Sequence, residues 1–134
     1  MRVPAEPFCE PAQRALLRTI PCAAGVSRVC FDADVVVVAP RTGHVDSPSL
    51  LLTLRPRGLS LDVHALRRYL NAFAARTLEH EELAVAIACD TATVCRCRVW
   101  VELTFVVDET MQRTVRALGR VVTHDGRANG GRAP

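Results

Sequence analysis

Hydrophobic residues fall along the chain in blocks whose spacing changes from two, to three and four, and back to two. From Ser27 to Val38 the β-branched content climbs to the run Val35-Val36-Val37-Val38, which predicts a strand ending at Pro40. Thr42-Gly43-His44 is turn chemistry, and Ser49 to Arg55 carries four leucines, which predicts a second strand closed by Pro56-Arg57-Gly58. The polar stretch Arg41 to Ser47 lies between the two. Leu61, Ala65, Leu66, Tyr69, Leu70 and Phe73 then recur at helical steps, with Ser60 or Asp62 as N-cap and an end near Arg76-Thr77. A shorter helix is expected from Glu79 to about Ala88, with Glu79, Glu81 and Glu82 at its positive end and Asp90-Thr91 as its breaker. Val94 to Val107 alternates like a long strand, and Thr114 to Val122 leans to a fourth strand through Val115, Val121 and Val122.

The elements run β-β-α-α-β-β, an order that implies one α+β domain over residues 27–124: an antiparallel sheet with two helices on one face. The first 26 residues, with Pro4, Pro7, Pro11 and Pro21, are expected to form an irregular, peripheral lead-in with one short helix near Ala12 to Thr19. Residues 125–134 have no apolar side chain larger than alanine and are expected to be disordered.

Composition narrows the chemistry. The 134 residues are 49% hydrophobic and 23% charged, as in a globular domain, but only 4% are aromatic, too few for stacking platforms along single-stranded nucleic acid. All 17 basic residues are arginine, so lysine Schiff bases and P-loop lysines are excluded. A net charge of +3 gives no argument for direct nucleic-acid binding. The apolar stretch around Leu16-Leu17 is broken by Arg18 and Pro21, and no run approaches the ~20 residues of a membrane span. A cytoplasmic protein with six free thiols is expected, without membrane association. A zinc site using Cys89, Cys95, Cys97 and a histidine is the metal alternative, weakened by the lack of a Cys-x-x-Cys knuckle.

Ala39-Pro40-Arg41-Thr42-Gly43-His44-Val45-Asp46 resembles the Cys-Pro-x-Thr-Gly-x-x-Asp loop of the NADPH-dependent 7-cyano-7-deazaguanine reductases, the nitrile reductases of queuosine biosynthesis. In the same ungapped frame Leu61-Asp62-Val63-His64-Ala65-Leu66 matches the family's Val-Glu-Ser-Lys-Ser-Leu. Arg68-Tyr69-Leu70-Asn71-Ala72-Phe73 matches its Leu-Tyr-Leu-Asn-Ser-Phe, and His80-Glu81 its His-Glu. The resemblance covers about a third of the chain closely, from Val38 to Glu82, and implies the tunnelling fold or T-fold.

It also implies roles. Glu81 would accept the N–H donors of a guanine-like edge, a task for a carboxylate, although the same residue also complements a helix N-terminus. His80 would contact the same ligand, as would the segment Leu61, Asp62 and Val63, where Asp62 replaces the family's Glu and also reads as an N-cap. Asp46 would be the proton donor, or else a simple turn former before Pro48. His64 stands in place of the lysine facing the NADPH phosphate and is a weaker donor at neutral pH. Ala39 occupies the position of the nucleophilic cysteine, and a methyl group cannot form a thioimide. Cys30, upstream on the expected strand, is about 30 Å away at ~3.3 Å per residue.

The resemblance therefore implies a homo-oligomeric ring that binds a purine-like molecule in deazaguanine metabolism, with nitrile reduction impaired. A non-catalytic binding or assembly subunit is the alternative. A reaction on a pterin or purine nucleotide through Asp46, His44 and His80 rests on residue types alone.

Overall fold

The computed structural model describes residues 9–120. A short helix α1 (Pro11–Arg14) and a strand β1 (Thr19–Pro21) precede the sheet strand β2 (Val29–Asp34), followed by the short pair β3 (Val37–Val38) and β4 (Val45–Asp46). Then come β5 (Ser49–Arg55), β6 (Leu59–Leu61), α2 (Val63–Asn71) extended by a 3-10 turn (Ala72–Ala75), α3 (His80–Cys95), β7 (Arg98–Asp108) and β8 (Met111–Gly119). The main sheet is antiparallel with order β2-β5-β7-β8; β1 pairs with β6 and β3 with β4 in separate two-stranded ribbons.

The expected strand Ser27 to Val38 is divided. β2 pairs with β5 and β3 with β4 in one continuous hairpin register, from Val29 opposite Leu54 to Val38 opposite Val45. The ladder is interrupted beside Pro48, which has no N–H to donate and only accepts from the Val35 amide at 3.1 Å. The polar stretch is thus the tip of a long hairpin, closed by the Ala39 amide on the His44 carbonyl at 2.8 Å and the Gly43 amide on the Ala39 carbonyl at 2.9 Å. Gly43 supplies the left-handed residue the tip needs, at φ 73°.

Alternation along β5 and β7 sends Leu50, Leu52, Leu54, Val99, Val101, Leu103 and Phe105 to the helix-bearing face, where they join Leu66, Tyr69, Leu70, Phe73, Leu83 and Ile87 in one core. Asp62 caps α2 as expected, accepting from the Ala65 amide at 2.8 Å. The second helix is longer than the sequence implied. Asp90 and Thr91 do not break it; both are buried in its interior because their polar groups are satisfied there. Asp90 accepts from the Tyr69 hydroxyl at 2.6 Å and the Arg14 guanidinium at 2.7 Å, and Thr91 donates to the Ile87 carbonyl at 2.7 Å. The helix ends at Arg96, left-handed at φ 56°, so Val94 and Cys95 are helical and the third long strand starts only at Arg98. Cys95 and Cys97 therefore do not share a strand face. The fourth strand is confirmed but begins at Met111, its expected end at Val122 lying outside the described residues, as do residues 125–134.

Small side chains let α3 lie close on β8. A Cβ at Gly119 would collide with the Ala88 backbone carbonyl and crowd the Ala92 methyl. The segment before β2 is more integrated than its prolines imply: Leu17 and Gln13 are buried, and Gln13 donates to the Tyr69 carbonyl at 3.0 Å. Among the described residues no helix is long and apolar enough to cross a membrane.

Replacing Asp90 by Ala removes a fully buried carboxylate, leaves the Tyr69 hydroxyl only the Ala86 carbonyl at 3.4 Å, and takes the carboxylate partner from Arg14. Urea denaturation is expected to show a loss of about 3–5 kcal/mol, the usual result of breaking a buried pair from one side. A loss under about 1 kcal/mol, the level of an exposed pair, would show that the network does not hold α1 and α2 to α3.

Candidate functional site

The site is built where the hairpin tip meets the start of α3. Val38 faces two ways: on one side it pairs with Val45, and on the other its amide donates to the Arg76 carbonyl at 3.0 Å while its carbonyl accepts from the Leu78 amide at 3.1 Å. This parallel bridge to Thr77 sets the segment that enters α3 beside the tip. Glu82 reaches back to the Glu79 amide at 2.9 Å and fixes the first turn, so that His80 and Glu81 project from a defined helix end.

His80 is the centre of the site. Its Nε2 lies 3.0 Å from Asp46 Oδ2, its Nδ1 lies 2.9 Å from an Arg113 Nη1, and its ring stacks on Phe105 with centroids 3.5 Å apart. Arginine has no acceptor, so Nδ1 must accept; Nε2 therefore carries the proton and donates it to the Asp46 carboxylate. The second Arg113 nitrogen donates to Glu81 Oε2 at 2.9 Å. That hydrogen bond, ahead of one from its own backbone amide, holds the Glu81 carboxyl below its ordinary range although the side chain is 62% exposed. Four side chains from β4, α3 and β8 thus form one chain: Asp46, His80, Arg113, Glu81.

The structure brings together three of the residues singled out from the sequence, Asp46, His80 and Glu81. Ala39 lies two residues beyond Val37, the partner of Asp46, on the same face of the ribbon, which places their Cα atoms about 7–8 Å apart. The others stand differently. Leu61 is buried in the core, Asp62 uses its carboxylate as the α2 cap, and Val63 and His64 are exposed on the first turn of that helix. His44 is exposed on the tip. No cysteine replaces the missing nucleophile among the described residues: Cys9 precedes α1, Cys22 lies beside Gly58 beyond the far end of β5, Cys30 faces Thr53 near the far end of the hairpin, Cys95 and Cys97 are buried, and Cys89 sits on α3 beside Arg14. Nor do the described residues include three or more His, Cys, Asp or Glu side chains grouped to hold a metal ion.

Arg113 and Phe105 were missed in the sequence. Both follow from closing a hairpin about Glu109-Thr110, where the Thr110 amide donates to Asp108 at 2.7 Å, and the register then sets Phe105 opposite Arg113. Starting the last strand at Thr114 left Arg113 outside it.

No protein-family model and no curated protein matches the sequence. Among solved structures, the chain is similar to that of the archaeosine synthase QueF-Like in the apo form, with 23% identity and a TM-score of 0.65 over 71% of this chain and 95% of that one. That likeness establishes the architecture: the fold is the T-fold that the resemblance implies, and the antiparallel sheet agrees with the order of elements.

Proposed function

We propose that this chain is a T-fold binding protein for a guanine-like base, a deazaguanine or close relative, held at Glu81 and His80 beside Asp46. One observation carries the reading. The Glu81 carboxylate and His80 Nδ1 converge on the two terminal nitrogens of a single planar N–C–N donor, the Arg113 guanidinium. The edge of guanine, with its ring N–H and exocyclic amine on one carbon, is the same kind of donor fragment. A carboxylate with a neighbouring ring acceptor is suited to it. The resemblance of Ala39 to Asp46 and of His80-Glu81 to the nitrile reductases supports the deazaguanine class, and so does the fold shared with an archaeosine synthase.

The nitrile reduction that a nicotinamide cofactor would serve, which the resemblance implies, does not fit what these residues can do. Ala39 offers no sulfur to hold a nitrile, and the residue in the phosphate-facing position, His64, is an exposed side chain on a helix whose Ala65 amide is already capped by Asp62. The proposed activity therefore contains no reductive step.

Assembly belongs to the same reading. The face of the sheet away from the helices is open and carries Leu51, Trp100 and Leu118 around a shallow groove, and both β2 and β8 are sheet edges. These features favour a ring of several chains, and a monomer in light scattering would remove this part of the proposal.

Calorimetric titration with 7-deazaguanine, guanine and pterin, and with adenine as control, tests the base site. Binding of the guanine-like bases over adenine is expected, with a loss of about 10–100-fold for Glu81→Gln, the weight of a hydrogen bond to a charged group. In Arg113→Ala the carboxylate no longer has its internal partner, and affinity is expected to rise by up to about fivefold, as befits an exposed ion pair. No binding by the wild type, or no loss in Glu81→Gln, would leave only the assembly role. Ala39→Cys asks whether the remaining site still presents a nitrile: with 7-cyano-7-deazaguanine its intact mass is expected to rise by that of the whole ligand, whereas the wild type stays unmodified. An unmodified Ala39→Cys protein that binds guanine normally would show that the tip no longer faces the ligand's 7-position.

A further inference from the structure

The face of the main sheet away from the helices carries a pattern of charge that neither the core nor the base site uses. Leu54 and Val99 point into the core, so their neighbours Arg55 of β5 and Arg98 of β7 lie on the open face, directly opposite one another in the ladder. One further step of the register on each side sets Arg28, which precedes β2, beside Arg55, and Arg120, which follows β8, beside Arg98. Four of the 17 arginines therefore form one row across all four strands, about 4.8 Å apart from strand to strand. Arg28, Arg55 and Arg120 are exposed and enter none of the ion pairs among the described residues, and Arg98 is half-buried. Like charges set opposite each other across strands are unfavourable, and a bound anion relieves that opposition.

The next row on the same face is uncharged. Thr53, Trp100 and Leu118 stand side by side in it, two residues along each strand from the arginines, a distance of about 7 Å. Trp100 is 40% exposed, and a shallow groove of about 380 Å³ runs over it, bounded by Leu51, Leu118 and the Glu102 and Arg116 pair at 2.9 Å. That volume is within the range of small-molecule sites. The row beyond holds Glu102 and Asp32. Charge on this face thus runs from wholly positive, across a flat aromatic ring, to partly negative.

We propose that this groove binds a nucleoside triphosphate, with its base on Trp100 and its phosphates on Arg55, Arg98 and their neighbours in the row. The two rows together call for a flat π-face joined to an anionic tail through a spacer of about the size of a pentose. Guanidiniums in a line offer forked donors to successive phosphates, and the acidic side chains on the far side of the groove oppose the reverse orientation. Trp100 is the only tryptophan in the chain and provides for one base, so a free nucleotide suits the face better than a single strand, which needs successive stacking platforms. The base site at Glu81 and His80 lies on the helix-bearing side, where His80 stacks on Phe105, so the two ligands do not compete. Joining of copies through the edge strands β2 and β8 would extend the sheet and leave this face uncovered.

ATP is the probe for the test, because adenine is the base that the Glu81 site is expected to refuse, and Trp100 is the reporter. Titration of the full chain at low salt is expected to quench the tryptophan emission, and the affinity is expected to fall as salt is added. Adenosine, which lacks the phosphates, and inorganic triphosphate, which lacks the base, are each expected to bind at least about tenfold more weakly by calorimetry. Arg55→Gln is expected to weaken ATP binding about fivefold while raising the melting temperature, since it removes one of two opposed charges. Trp100→Ala is expected to lose about 5–100-fold. Glu81→Gln is expected to bind ATP as the wild type does, so the failure of one site is read separately from the failure of the other. The absence of quenching by ATP overturns the proposal, as does undiminished binding in Arg55→Gln or Trp100→Ala. So does inorganic triphosphate that binds as tightly as ATP, which leaves only an anion patch, or a loss in Glu81→Gln, which moves the nucleotide to the base site. An oligoadenylate that binds more tightly than ATP overturns it as well, because the row is then a track for a nucleic-acid backbone.

Discussion

The geometry of the site depends on one residue's backbone. Val38 pairs with Val45 on one side and bridges to Thr77 on the other, so the hairpin tip and the entrance to α3 cannot move apart without breaking two hydrogen bonds. Because β2 to β5 keep a single register, the tip is carried at the end of a long arm rooted in the main sheet, and Pro48 ends the sheet's ladder without disturbing that register. Asp46 on the arm and His80 on the helix meet as a consequence. The third contributor, Arg113, comes from the start of β8, the edge strand on which α3 lies, with so little space farther along that Gly119 has no room for a Cβ.

What the sequence made legible follows from how local each determinant is. Ser49 to Arg55 was read with its observed limits because Leu50, Leu52 and Leu54 recur at every second position and Pro56 closes the run, although Leu51 puts an apolar side chain on the outer face. Asp62 as a cap was equally local. Asp90 misled because its partners, Tyr69 and Arg14, lie far away in the chain, and Thr91 because its hydroxyl turns back onto the Ile87 carbonyl of its own helix; a polar residue inside a helix looks like a breaker until something satisfies it. Arg96 ends α3 by adopting a left-handed backbone without a glycine, so the boundary carried no composition signal and the following strand was started too early. The resemblance located Asp46, His80 and Glu81, which converge, but marked Leu61 and Asp62 as well, whose side chains are spent on the core and on a helix cap. Arg113 escaped because it depends on a strand register rather than on a motif.

The absence of lysine has a structural counterpart. At both polar clusters a planar guanidinium engages two partners at once: Arg14 meets Asp90 and Cys89, and Arg113 meets Glu81 and His80. Each pair of contacts uses different nitrogens of one rigid fork, a geometry that a single ammonium point charge does not reproduce. The two clusters also differ in burial. Asp90 is fully enclosed and its partners hold α1 and α2 to α3, whereas the Arg113 pair is open to solvent and bears little on stability. One arginine is therefore a structural clamp and the other, in the proposed function, a replaceable occupant.

That replaceability decides what Asp46 can do. While Arg113 donates to Nδ1, His80 is neutral and its remaining proton points at Asp46, which is then an acceptor with no proton of its own to give. Under the proposed function, a guanine-like edge that displaces Arg113 from Glu81 would also free Nδ1, where a ligand N–H or a solvent proton would take the vacated place. A proton added there makes the ring an imidazolium, and the Nε2 proton can pass along the 3.0 Å contact to Asp46. Phe105 holds the ring plane fixed during such a change, because stacking at 3.5 Å restricts rotation of the imidazole. The proton-donor role implied for Asp46 by resemblance is thus conditional on departure of Arg113. With Ala39 removing the sulfur that would use such a proton, the relay in the proposed function would only report whether the carboxylate at Glu81 meets the chain's own guanidinium or a ligand.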